Sequence, residues 1–219
     1  MSILLLTTLI PNLSQLLPAL ISQWGALIYI GLFLVIFIET GVVILPFLPG
    51  DSLLFLCGSL AALANGGLNI WILWGLLIVA AFVGDSLNFE IGEHFGGWLT
   101  QNQKLQRFIK PEYLDRSAKF FEKHGKAAIF LGRFMPIIRT FIPFTAGISK
   151  MHYRSFVFYN LLGGIAWVTI ALGAGFFFGN VAIVKAHFEL IMIAIIIISL
   201  FPAAIMALRN KKGGRVDVD

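Results

Sequence analysis

Five charged side chains stand in stretches where almost everything around them is apolar: Glu39, Asp51, Asp85, Arg133 and Arg139. No charged residue precedes Glu39, and none lies between Asp51 and Asp85. At the centre of a membrane helix an Asp, Lys or Arg costs roughly 2.5–3.5 kcal/mol, so such residues face protein or water and mark a function or a partner. Arg133 and Arg139 sit six residues apart around Pro136. A guanidinium offers a planar fork that grips a phosphate through two hydrogen bonds and stays charged in a poorly hydrated site, so an anionic phosphate is the natural ligand. Glu39, Asp51 and Asp85 are suited to taking up and releasing a proton or holding sodium. The bland alternative is that the two arginines pair with these carboxylates and only hold the fold together, and the sequence leaves both readings open.

The backbone around these residues is unusual as well. Pro46, Pro49 and Gly50 precede Asp51, while Pro136, Pro143 and Gly147 surround and follow the two arginines. Proline removes a backbone donor, and broken helix at membrane depth is tolerated only inside protein or beside a wet cavity. The pattern Pro46-Phe47-x-x-Gly50 recurs as Pro143-Phe144-x-x-Gly147. Paired interrupted segments in two halves of opposite topology point to a site near the bilayer midplane.

The elements that must position these groups are membrane helices. The chain of 219 residues is 58% hydrophobic and 12% charged, with a mean hydropathy of +0.90, too apolar for a soluble domain. The apolar runs lack the alternation of barrel strands, so the expected fold is all-α: one polytopic domain over residues 1–219 with an inverted repeat and two facing re-entrant segments. With roughly 20 residues needed per crossing, spans are expected at 25–45, 70–91, 155–178 and 188–208. Re-entrant segments are expected at 46–64 and 127–148. Residues 3–21, interrupted by Pro11 and Pro18, either span or lie in the interface.

Lys and Arg set the orientation. The tail 209–219 carries Arg209, Lys211, Lys212 and Arg215, and the stretch 104–126 carries seven Lys and Arg residues, so both are expected in the cytoplasm. Residues 25–45 then run outward and 70–91 inward. The apolar face of the 104–126 stretch, with Leu114, Ala118 and Phe121, is expected to lie on an anionic leaflet. Asp85, Asn88 and Gly92 share a helix face, and Asn160, Gly163, Gly164 and Trp167 form a similar stripe, read here as helix packing.

Several function classes lack support. The net charge of +5 comes from loops and tail and follows the positive-inside pattern, so nucleic acid is not expected. Cys57 reads as a small buried hydrophobe. No H-E-x-x-H, G-x-S-x-G or Walker motif occurs, so no catalytic residue, metal or cofactor is expected.

Taken jointly, Phe37-Ile38-Glu39-Thr40-Gly41, Pro46 through Ser52, Gly84-Asp85, Lys123-His124-Gly125 and Arg133 through Pro143 resemble the DedA family of bacterial membrane proteins, related to the eukaryotic VTT-domain lipid scramblases. The resemblance covers nearly the whole chain, with one departure at Phe89, where many members have Tyr. It implies facing re-entrant loops in the bacterial inner membrane and functional weight on Glu39, Asp51, Arg133 and Arg139. It also implies, for some members, recycling of undecaprenyl phosphate to the cytoplasmic face. The chain is therefore expected to be a proton-coupled (or sodium-coupled) flippase for a polyprenyl phosphate or phospholipid, with homo-oligomerisation left open. The rival expectations are an uncoupled glycerophospholipid scramblase and a non-transporting membrane organiser.

Overall fold

The structure, a computed structural model, describes residues 24–42, 50–62, 67–101, 111–135 and 138–181. The expectations for residues 3–21, 188–208 and the tail 209–219 lie outside them, as do Pro46, Pro49 and Pro136. Every regular element among the described residues is helical: α1 (Ala26–Gly41), α2 (Gly50–Ala61), α3 (Ile70–Gln101), α4 (Pro111–His124), α5 (Ala128–Gly132), α6 (Ile138–Ile148) and α7 (Tyr153–Gly179), with a single 3₁₀ turn, Gly125–Ala127, between α4 and α5.

Two of these helices are long and apolar enough to cross a bilayer, Ile70–Trp98 within α3 and all of α7. They run antiparallel, since Trp74 Nε1 donates to Thr169 Oγ1 at 2.8 Å while Phe82 O accepts from Asn160 Nδ2 at 3.2 Å and Phe89 stacks on Phe156. Exposed Trp71 and Trp98 mark the two ends of the crossing part of α3. At about 1.5 Å per residue they stand about 40 Å apart, the thickness of a bilayer with its interfaces, where tryptophan concentrates.

Four of the remaining helices form two hairpins, α1 with α2 and α5 with α6. Helix α1 runs in the same direction as α3: Asn69 N donates to Tyr29 Oη at 2.8 Å near their starts, and Gly41 meets Gly84 further along, where an added Cβ would sit 3.3 Å from the Gly84 backbone. Helix α2 returns beside α7, parallel to it, with Asp51 beside Trp167 and Ser59 Oγ donating to Gly175 O at 2.9 Å. In the second half, α5 lies along the first part of α7 through Phe130, Arg133 and Gly163, and α6 runs parallel to α3, with Thr140 at Asn88 and Ile148 at Gly96. Each short returning helix thus packs most extensively on the long helix of the other half. The fit depends on glycine: a Cβ at Gly58 or Gly175 would collide with backbone across the α2–α7 contact, and one at Gly92 or Gly147 across the α3–α6 contact.

This arrangement differs from the sequence reading in the first half. Residues 25–45 were expected to cross in the sense opposite to 70–91, with the dip confined to 46–64. Instead α1, 16 residues long, runs in the same direction as α3, which begins at the end where α1 began. Helix α4 differs too. Its apolar face is covered by protein, Leu114 packing on Phe141 and Phe144, and Ser117 Oγ accepting from Thr145 Oγ1 at 3.0 Å. Its outer face carries i,i+4 pairs, Arg116 with Glu112 and Lys119 with Asp115, so much of its positive charge is matched within the helix.

Candidate functional site

Both hairpin tips and the middle of α3 bring charge to one place. Glu39 lies in the last turn of α1, and Gly50 and Asp51 open α2. A Cβ at Gly50 would run into the Glu39 carboxylate, so glycine there lets that carboxylate lie against the start of α2. The partial positive charge of a helix N-terminus favours both acids. From the other tip come Arg133, immediately after α5, and Arg139, in the first turn of α6. Asp85 is midway between Trp71 and Trp98 on α3, about 20 Å from each at the helical rise, so the cluster sits at the middle of the crossing.

The charges pair across the tips. Arg139 bridges two carboxylates, Nη2 donating to Glu39 Oε1 and Nη1 to Asp51 Oδ1 at 2.8 Å. Arg133 uses Nη1 alone, donating to both Asp85 Oδ2 and Asn160 Oδ1, the latter at 2.7 Å. The indole of Trp167 lies against both guanidinium groups, whose central carbons are 5.5 Å (Arg133) and 5.3 Å (Arg139) from the ring centroid, within cation–π range. Trp167 Nε1 donates to Asp51 Oδ1 at 2.7 Å, the oxygen that also receives Arg139. Two guanidinium groups face three carboxyl groups, so with all five ionised the cluster carries one negative charge in excess.

The pairing is incomplete. Arg133 is 5% exposed, yet its Nε and Nη2 have no hydrogen-bond partner, and neither does Glu39 Oε2. Leaving a buried donor unmatched costs about 1–3 kcal/mol, more for a charged group. Nε–H and Nη2–H point the same way along one edge of a guanidinium, the edge that takes an oxyanion through two bonds.

Two cavities meet at these groups, and Arg133, Arg139 and Trp167 line both. The inner one adds Glu39, Thr40, Asp85 and Thr140 and has room for about a single water molecule. The outer one adds Asp51, Phe134, Ile170 and Ala171 and offers about 230 Å³, enough for a small headgroup. Asp51 is 55% exposed there, and Phe134 and Ile170 are exposed apolar groups at its rim. The outer cavity therefore has a charged wall and a greasy one.

All five charged residues singled out in the sequence come together here. Pro143 and Gly147 do not join them; they lie buried in α6 against α3, where Gly147 permits close contact with the backbone of Phe89 and Gly92. Asn88 is structural, its Nδ2 donating to Thr40 O at 3.1 Å and Thr140 O at 2.9 Å and so tying α1 to α6 across α3. The stripe Asn160, Gly163, Gly164 and Trp167 does pack, Trp167 within the apolar core and Asn160 against Phe82 O of α3, but packing is only part of the role of its two larger members. Asn160 and Trp167 contact the charged groups directly, and the glycines make room for the Arg133 side chain. The available signal was an Asn and a Trp seven residues apart on one face of an otherwise apolar helix.

Comparison with known proteins places the chain in a family. The VTT domain family matches residues 48–177, which span the second acidic residue of the first tip, Asp85 and the whole second tip. Protein DedA of Escherichia coli K12 is 44% identical over 196 residues, covering 90% of this chain and 89% of its own. An uncharacterised membrane protein of Mycobacterium tuberculosis H37Rv is 40% identical, with 88% and 84% covered. Inner membrane protein YghB of Salmonella typhimurium is 31% identical, with 85% and 87% covered. No solved structure matches. On the family match and the extent of these likenesses, the chain is a DedA family membrane protein built on the VTT domain.

Proposed function

We propose that the protein is a proton-coupled flippase that returns undecaprenyl phosphate, or a phosphate-headed lipid of the same kind, across the bacterial inner membrane. The observation that carries this reading is the unmatched edge of Arg133: two parallel donors on a buried cation, beside a cavity with a charged wall and an apolar rim. An oxyanion headgroup would satisfy those donors while its chain leaves past Phe134 and Ile170 toward lipid. The start of α6 lies at the same place, and its helix dipole favours an anion.

In this reading the hairpins α1–α2 and α5–α6 re-enter from opposite faces as an inverted pair, which the exchanged packing of the short helices supports. Coupling follows from the charge count. Three carboxyl groups against two arginines are balanced by one added proton, or by one sodium ion in its place, and a phosphate that captures Arg139 would leave Glu39 and Asp51 to take up that charge. The relative named as an inner membrane protein supports the location.

The test is movement of undecaprenyl phosphate in proteoliposomes with and without an imposed proton gradient. Wild type should show gradient-stimulated movement, Arg139→Ala none, and Glu39→Gln movement that no longer depends on pH. Free passage of phosphatidylethanolamine without a gradient would replace this reading with an uncoupled scramblase.

A further inference from the structure

We propose that Trp167 is a positioning residue that latches the partition between the two cavities, so that loading of the outer one opens the inner one. This rests on the headgroup site proposed above and extends it to a residue with no charge of its own. Arg133, Arg139 and Trp167 are the residues shared by both cavity walls. Of these three, the indole is the one without a formal charge and the one held by contacts to both cations. It is 5% exposed.

Three polar contacts hold its inner edge, the two guanidinium groups on its ring and Asp51 Oδ1 on its Nε1, while the rest of the ring belongs to the buried apolar core with Leu54 and Leu172. Each of the three polar partners is a group that an incoming anion would engage or displace. An oxyanion seated on Arg133 and Arg139 draws their charge away from the ring, which weakens the cation–π attraction. Arg139 then releases Asp51 Oδ1, the oxygen that the indole shares with it. The polar contacts that fix the ring against the partition therefore depend on the headgroup being absent, and without them only its apolar packing remains. With the ring displaced, the one-water chamber holding Glu39 and Asp85 joins the larger space, giving those carboxyl groups a path to water only while the lipid is bound. Gating of this kind keeps the ion from leaking in the empty carrier.

The chain has five tryptophans, and the other four, Trp24, Trp71, Trp74 and Trp98, are exposed at the surface. Replacing those four by Phe leaves Trp167 as the sole indole, whose fluorescence reports the latch in nanodiscs. Acrylamide quenching should be weak in the unliganded protein and rise several-fold on adding dodecyl phosphate, but not dodecyl maltoside. Asp51→Ala, which removes the acceptor, should show strong quenching with no ligand. Dodecyl phosphate binding is followed separately by calorimetry. Binding without a change in quenching overturns the latch and leaves the headgroup site standing. Absence of binding overturns the headgroup site, and the Asp51→Ala arm then still decides whether the indole is latched: unchanged quenching there refutes it. If the fourfold variant does not fold, 5-fluorotryptophan in the natural sequence, with the Trp167 signal assigned through Trp167→Phe, gives the same readout by ¹⁹F NMR.

Discussion

Consider Asp85→Leu, which removes the acid from the buried pair with Arg133. Both side chains are almost wholly enclosed, and after the change Arg133 keeps one hydrogen bond, to Asn160 Oδ1, beside its contact with the Trp167 ring. Removing one member of a buried ion pair costs about 3–5 kcal/mol, because the remaining charge is stranded. For a chain of this size about 1 kcal/mol corresponds to a 2–4 °C change in midpoint, so the variant should melt about 6–20 °C below wild type. The double variant Asp85→Leu with Arg133→Met replaces the pair by apolar groups of similar bulk. It should regain most of that loss, short of about 1–3 kcal/mol for the orphaned Asn160 carbonyl. Cys57 supplies the assay: it is the single cysteine and 2% exposed, so a thiol-reactive fluorogenic maleimide reads unfolding in detergent without labelling the native protein. Both variants should fail to transport, since the single one strands the Arg133 charge and the double one lacks the guanidinium. A single variant that melts no lower than the double would refute the claim that a stranded charge, not lost packing, sets the cost.

Three further outcomes follow from packing and hydrogen bonding. Gly147→Ala places a Cβ 2.7 Å from Glu93 N and 3.0 Å from Gly92 C, backbone atoms that can yield only if α6 parts from α3, and it should cost about 1–3 kcal/mol in the same melting assay. Gly173→Ala, with open space around it, should be neutral or stabilise by up to about 1 kcal/mol. Asn88→Leu loses both carbonyl contacts that tie α1 to α6 and should lower stability by about 1–3 kcal/mol, with sharper loss of protection at Thr40 and Thr140 in hydrogen exchange.

The charged half of the site was legible because an ionisable group in an apolar run is costly enough to need a reason, and Glu39, Asp51, Asp85, Arg133 and Arg139 each announce themselves that way. Asn160 and Trp167 do not, because either is compatible with ordinary helix packing and only the location of Arg133 and Asp51 gives them a role. The direction of α1 was illegible for a different reason. Between Val42 and Asn69 Asp51 is the only charged residue, so the rule that reads orientation from Lys and Arg has nothing to count there. The covering of α4 was likewise hidden, since an apolar stripe looks the same whether it faces lipid or a neighbouring helix such as α6.

The exchange of short helices between halves also decides where the molecule can come apart. Helices α1, α3 and α6 form one leaf, and α2, α5 and α7 the other; each pair of short helices has one arm in each leaf. Two of the three central ion pairs, Arg133 with Asp85 and Arg139 with Asp51, cross the fold of this book, while Arg139 with Glu39 stays on one page. The leaves cannot part without stranding charge on both, unless an anion and a cation arrive to take the vacated places. In the transport cycle proposed above, the same two pairs that hold the leaves together are the ones a bound anion and cation would have to replace before the leaves part.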